Sequence, residues 1–316
     1  MISAISIFLS AVVVSLLITF PVVWLLTNFK VGQPVRVEGP ASHQAKSGTP
    51  TMGGIGFILT IIAFTLVFID FDLYPKFLAL VLLVLAYALI GLADDLLKIF
   101  RKENLGLTFW QKIWLQVIAA GCFALFMALT GNNMVSGTIL QKLGIYSPFI
   151  YPLFVTFIIV GSANATNLTD GLNGLLAGTA GIAFLAFALI AGRTGQPEAL
   201  TFSLICSGAV LAFLYFNFPK AKVFMGDIGS LAIGAALAGL AVILHRELRL
   251  AVIGGIFVIE ALSVMIQVGG YKLFKKRLFR MSPIHHHFEL LGLKEWIVVI
   301  GFWVVALVLG IAGVLL

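Results

Sequence analysis

The sequence predicts an all-α integral membrane protein of ten transmembrane helices, with both termini extracytoplasmic and its reactive residues in cytoplasmic loops. Three observations carry this. Hydrophobic residues make up 61% of the 316 and charged residues only 10%, where a soluble domain carries about 25% charged. Mean hydropathy is +1.11. The apolar residues also fall into blocks near the ~20 residues that an α-helix needs to cross a bilayer core.

Taken in order, the expected spans lie near residues 4–27, 52–69, 77–96, 111–130, 148–163, 174–192, 199–216, 229–245, 250–271 and 295–315. The first lacks a basic leading segment and is too long for a signal peptide, so it reads as a retained helix. The second follows PTMGG, the third ends at Asp94-Asp95, and the fifth is the shortest. The eighth opens after Gly226-Asp227, and the ninth carries Glu260, Ser263 and Gln267 at helical spacing. No repeat or low-complexity segment divides the chain, which reads as one membrane domain over 1–316. Cys122 and Cys206 both lie in apolar blocks, so neither a disulfide framework nor a thiolate metal site is suggested.

Charge sets the expected orientation. Ten spans leave nine loops alternating between two faces, and the odd loops hold 15 of the 20 Lys and Arg residues. The positive-inside rule then places those loops in the cytoplasm and both termini outside. The formal charge of +7 is spread over short loops and forms no basic stripe, so nucleic acid is not an expected partner and the lipid bilayer is. The odd loops also hold HQAKSGTPTMGG, Asp94-Asp95, NATNLTDGLNG, KVFMGDIGS and SPIHHHFE. Mere connectors would not sort this way, and one site assembled from five cytoplasmic loops is the economical expectation.

The residue types point to a chemistry. Two adjacent carboxylates at the end of an apolar helix either cap it as an ion-pair cluster with Lys98, Arg101 and Lys102, or supply a base or the oxygen ligands that Mg²⁺ prefers. Asp227 sits between Gly226 and Gly229, where the backbone can approach a ligand closely. It reads as a metal ligand or as a helix cap. The amides, hydroxyls and carboxylate of NATNLTDGLNG suit a sugar or a base, though a turn rich in Asx and Thr caps has the same composition. Consecutive His285, His286 and His287 lack the spacing of a zinc site and suit phosphate or sugar contact better. Glu260, deep in an apolar span, serves either a functional site or hydrogen bonding within the bundle. Acids for Mg²⁺, scattered lysines and glycine-bearing loops together fit a diphosphate substrate, whose like charges must be positioned and neutralised.

The segments GQPVRVEGPASHQAKSGTPTMGG, GLADDLLK, NATNLTDGLNG, FNFPKAKVFMGDIGS, IEALSVMIQV and MSPIHHHFE, in this order, resemble those of the phospho-N-acetylmuramoyl-pentapeptide transferase family, over essentially the whole chain. The resemblance implies Mg²⁺-dependent transfer of phospho-N-acetylmuramoyl-pentapeptide from its UDP derivative to undecaprenyl phosphate. It also implies a homodimer in the bacterial inner membrane, with an active site facing the cytoplasm. By that analogy Asp227 binds Mg²⁺, and Asp94 deprotonates or orients the lipid phosphate with Asp95 beside it. Lys46, Thr51, Asn167, Asp170, Asn217, Phe224 and His286 match positions tied to nucleotide, diphosphate or cofactor contact, and Lys98 and Lys102 would hold phosphates. Asn173, Gln267, His285 and His287 complete the expected substrate-binding set. Two departures stand out. Asn173 occupies the place where the family pattern reads Asp in DGLDG, and Pro219 comes one position early in FNFPKAKVF. The alternatives are a polyprenyl-phosphate N-acetylglucosamine-1-phosphate transferase and, from another class, an ion-coupled transporter with its acids near mid-bilayer.

Overall fold

The computed structural model describes residues 3–29, 32, 48–101, 103, 105–131 and 150–316. Of the expected site residues, Lys46 and Lys102 lie outside them. Among the described residues there are twelve helices and no strand. They are α1 (Ala4–Asn28), α2 (Gly54–Phe68), α3 (Pro75–Arg101), α4 (Phe109–Leu129), α5 (Ile150–Thr169) and α6 (Leu175–Arg193). Then follow α7 (Pro197–Asn217), α8 (Asp227–Ile243), α9 (Glu247–Ile253), α10 (Gly255–Phe274), α11 (Ile284–Leu290) and α12 (Glu295–Leu315).

Eight of these are long and apolar enough to cross a bilayer, namely α1, α3 to α7, α10 and α12. The second and eighth expected spans correspond to shorter apolar helices, α2 with 15 residues and α8 with 17. The short α9 and α11 were not separated from their surroundings by hydropathy.

The centre of the bundle is α8. Every residue from Ile228 to Ile243 is buried, and α3, α5 and α2 pack around it. Its composition explains the position, because alternating Gly and Ala let neighbouring backbones approach closely. A Cβ at Gly234 would overlap Thr166 and Ala163 of α5. The most consequential approach is at Gly91 of α3, where a Cβ would overlap the carbonyl of Asp227 and the amide nitrogen of Ile228. That missing side chain lets the N-terminus of α8 lie directly on α3.

Large apolar side chains such as Leu9 and Leu17 of α1, Trp110 and Trp114 of α4 and Leu307 of α12 are exposed on the outside of the bundle. In a soluble protein such a surface would aggregate, whereas against lipid tails it is the favourable one. The 27 residues of α3 span about 40 Å at 1.5 Å per residue, against a hydrocarbon core of about 30 Å. Asp94 lies 19 residues after Pro75, about 28 Å along the helix, at the far edge of that core.

Candidate active site

Five helix ends meet where the acids lie. The last turns of α3 and α5 bring Asp94, Asp95, Lys98 and Asn167, and the first turns of α2, α4 and α8 bring Gly54, Lys112 and Asp227. The expected convergence of distant motifs is therefore met for the carboxylates. One oxygen from each of Asp94, Asp95 and Asp227 lies within 4.8 Å of the others.

Lysines hold these charges together. Lys98 Nζ lies 2.6 Å from Asp94 Oδ2, 3.2 Å from Asp227 Oδ2 and 3.7 Å from Asp95 Oδ1. Lys112 Nζ donates to Asp227 Oδ2 at 2.5 Å and lies 3.9 Å from Asp94 Oδ2. Three carboxylates against two ammonium groups leave a formal charge of −1, in surroundings where Asp94 and Asp95 are buried. Sequence reasoning counted Lys112 only as a loop charge. The available signal was a lysine one turn into an apolar helix, after the Thr108–Gln111 capping box that starts α4.

Backbone amides do the remaining positioning. Asp95 Oδ2 accepts the amide of Ile228 at 3.2 Å, so α3 supplies the cap for α8 from outside. Of the two readings of Asp227, metal ligand or helix cap, the cap does not form. Gly226 takes the N-cap position, with φ 78° and ψ 169°, and Asp227 is the first helical residue with its carboxylate turned to the lysines. Asp94 Oδ1 accepts the amide of Leu107 at 2.9 Å, folding the segment after α3 back over the acids. Arg101, expected on the acidic stripe, donates instead to the Gly106 carbonyl at 3.1 Å.

Two further motifs join this centre. Asn167 donates to Asp227 Oδ1 at 2.9 Å and to Ser230 Oγ at 2.8 Å. The stretch around Thr51, itself buried, is stitched to that around Phe224 by main-chain hydrogen bonds: Phe224 donates to Pro50, Gly53 donates to Phe224, and Gly54 donates to Met225. Asp170, half-buried in the turn after α5, has its pKa pushed up to about 7, first by burial and then by the charges of Asp227 and Asp95.

Other expected residues stand apart from the acids. Asn217 is occupied within the fold, accepting the Gly174 amide at 2.7 Å and donating to the Val223 carbonyl at 2.9 Å. Asn173 donates through Nδ2 to the carbonyl of Pro219 at 3.2 Å. The two departures from the family pattern thus touch each other, and an aspartate at 173, lacking that donor, could not make the contact. Gln267 holds the chain beyond α10, accepting from Leu278 and Phe279 amides and donating to the Phe279 carbonyl. The three histidines lie on the short helix α11 and turn to different partners. His285 Nδ1 lies 3.0 Å from Glu260, His286 Nδ1 lies 2.8 Å from Glu289, and His287 Nδ1 accepts the Arg280 amide at 3.1 Å.

Carboxylates countered by lysines, where helix ends meet in a bundle of apolar helices, fit the chemistry of a membrane-embedded phosphotransferase. Residues 77–245 match the family model described as glycosyl transferase family 4. Curated phospho-N-acetylmuramoyl-pentapeptide-transferases are similar over nearly the whole chain. That of Shouchella clausii is 46% identical over 92% of this chain and 90% of its own length, and that of Geobacillus kaustophilus is 45% identical over 98% and 95%. The Bacillus subtilis relative is 44% identical over 95% of this chain and 94% of its own. The chain belongs to the phospho-N-acetylmuramoyl-pentapeptide-transferase family, within glycosyl transferase family 4.

Proposed function

We propose that the chain transfers phospho-N-acetylmuramoyl-pentapeptide from UDP-N-acetylmuramoyl-pentapeptide to undecaprenyl phosphate, releasing UMP, in a Mg²⁺-dependent reaction at the cytoplasmic face of the bacterial inner membrane. The observation that carries the reading is the meeting of Asp94 and Asp95 of α3 with Asp227 of α8, more than 130 positions further along the chain, with Lys98 and Lys112 between them.

The donor set suits Mg²⁺. Carboxylate oxygens are its preferred ligands, and one from each of the three acids lies within 4.8 Å of the others. Asp227 would hold the ion, with Asp94 and Asp95 adjacent. Bound there, Mg²⁺ would neutralise diphosphate charge and polarise the phosphoryl oxygens. Asp94 would orient the lipid phosphate or take its proton. Lys98 and Lys112 are placed to pass from carboxylates to phosphate oxygens, which offer them equivalent charge-assisted hydrogen bonds. Asn167, which also donates to Ser230, fixes the Asp227 carboxylate, and Thr51, Phe224, Asp170 and the histidines would contact the nucleotide sugar.

The ten-span reading counts α2 and α8 with the eight long helices. The 17 residues of α8 extend about 26 Å, and because it is buried on all sides its length need not match the lipid. The basic odd loops support cytoplasmic exposure of the site. We further expect a homodimer, to be checked by light scattering of the detergent-solubilised protein.

The test is Mg²⁺-dependent UMP release by the purified protein with both substrates. Lipid-linked product from the muramoyl-pentapeptide nucleotide is expected. Product from UDP-N-acetylglucosamine alone would assign the other sugar, and solute flux in proteoliposomes without any UMP release would assign a transporter.

A further inference from the structure

Three helices meet on Gln116, beneath the acids. It is the first buried residue of α4, and the buried apolar side chains that follow, Ala120, Phe123, Ala124 and Met127, all lie deeper. On its other side α4 faces outward, with Trp110, Trp114 and Ile118 exposed. Little apolar packing therefore fixes the start of this helix, which is where Lys112 stands. Hydrogen bonds take over that task. Tyr87 of α3, fully buried, donates to the main-chain carbonyl of Gln116 at 3.0 Å, and Asn164 of α5 donates to its side-chain Oε1 at 2.6 Å.

A third contact orients the two amides. Asn164 Nδ2 also donates to the Val160 carbonyl at 2.8 Å, and a carbonyl can only accept, so Asn164 turns its nitrogen and Gln116 its oxygen to the shared bond. Gln116 Nε2 is then buried with no partner among the described residues. A methionine would fill the same space without that penalty, so packing alone does not account for an amide here. Register does. Lys112 lies one turn, about 6 Å, nearer the acids than Gln116 on α4, and Asn167 lies about 4.5 Å nearer than Asn164 on α5. Those two residues take opposite oxygens of one carboxylate, Lys112 donating to Asp227 Oδ2 and Asn167 to Oδ1.

We propose that Gln116 is a positioning residue for Lys112: by tying α4 to α3 and α5 it holds the ammonium on Asp227 Oδ2 while Asn167 holds Oδ1. Gln116 itself touches no substrate and acts through the lysine. Its effect on turnover rests on the transferase reading, whereas its placement of the lysine does not.

The test uses Gln116→Met, of similar length but without the acceptor, alone and combined with Lys112→Met. In Gln116→Met, kcat is expected to fall about tenfold while KM for nucleotide sugar and for lipid phosphate each stay within about twofold of wild type. In the Lys112→Met background, Gln116→Met should lower kcat by no more than about twofold further, because the lysine it places is gone. A wild-type kcat in folded Gln116→Met, or the full tenfold loss in the double variant, would overturn the proposal. Reductive methylation of Lys112, read by peptide mass spectrometry on the folded protein, needs no turnover. Its rate should rise at least about threefold in Gln116→Met as the ammonium leaves Asp227, and an unchanged rate refutes the placement. Should Gln116→Met not fold, Asn164→Ala cuts the same contact from α5 and is read by the same labelling. A wild-type protein that turns over neither substrate refutes the transferase reading alone, and the labelling still judges Gln116.

Discussion

Replacing Gly226 with alanine tests whether the site depends on the close approach of α8 to α3. Gly226 has φ 78° and ψ 169°, a region essentially restricted to glycine, so a side chain there costs about 1–3 kcal/mol in backbone strain. A Cβ would also lie 2.6 Å from Asp95 Oδ2, against the 3.4 Å at which ordinary contact begins. Roughly 0.8 Å of displacement must therefore be taken up by Asp95 or by the first turn of α8. Either movement breaks the bond from the Ile228 amide to Asp95 and shifts Asp227 relative to Lys112. Misplacement of about 1 Å in a phosphoryl-transfer site costs about 100-fold in rate. UMP release by Gly226→Ala should fall by that order while circular dichroism stays helical and the melting temperature drops by several degrees. Turnover within threefold of wild type, in protein shown to be folded, would mean that the acids need not be held in this arrangement, and the reasoning fails.

Asp227→Ala and Asp94→Asn should each abolish turnover in folded protein, and wild-type UMP release from either counts against the site. Lys112→Met leaves Asp227 with Lys98 alone, so kcat should fall about 100-fold, a typical loss when one charge-stabilising group is removed. Asn173→Asp exchanges the donor to the Pro219 carbonyl for a second acceptor and should lower stability by about 1 kcal/mol, read from thermal melting. An unchanged melting temperature would deny the contact any weight. The folded pKa of Asp170, about 7, lies above its ordinary value, so folding takes up a proton between about pH 4 and 7. Stability of the Mg²⁺-free protein should therefore fall as pH rises through that window and level off above it. In Asp170→Asn this fall should be absent, and melting curves across the range would reveal its persistence.

Several features were legible in the sequence because they are local. Spanning blocks follow from hydropathy over about 20 residues, and α1, α3, α4, α6, α7 and α12 lie close to the expected bounds. The carboxylates stood out because charged residues are rare at the edges of such blocks. What hydropathy cannot register is the division of the ninth span into α9 and α10, or the helical fold of the histidine segment, since both depend on short turns and on packing.

By itself the sequence determined the all-helical membrane class, the family, and the identities of Asp94, Asp95 and Asp227, because the bilayer acts as a solvent that tests each segment separately. Only the tertiary structure decided which groups touch. Lys112 became part of the acid cluster, Asn173 met Pro219, Glu260 met His285, and Gln267 and Asn217 were engaged by backbone. These pairings span from 6 to 115 residues along the chain, and the longer ones depend on how closely helices pack. That closeness is set by a missing methyl group at positions such as Gly91, whose effect no periodicity in the chain encodes.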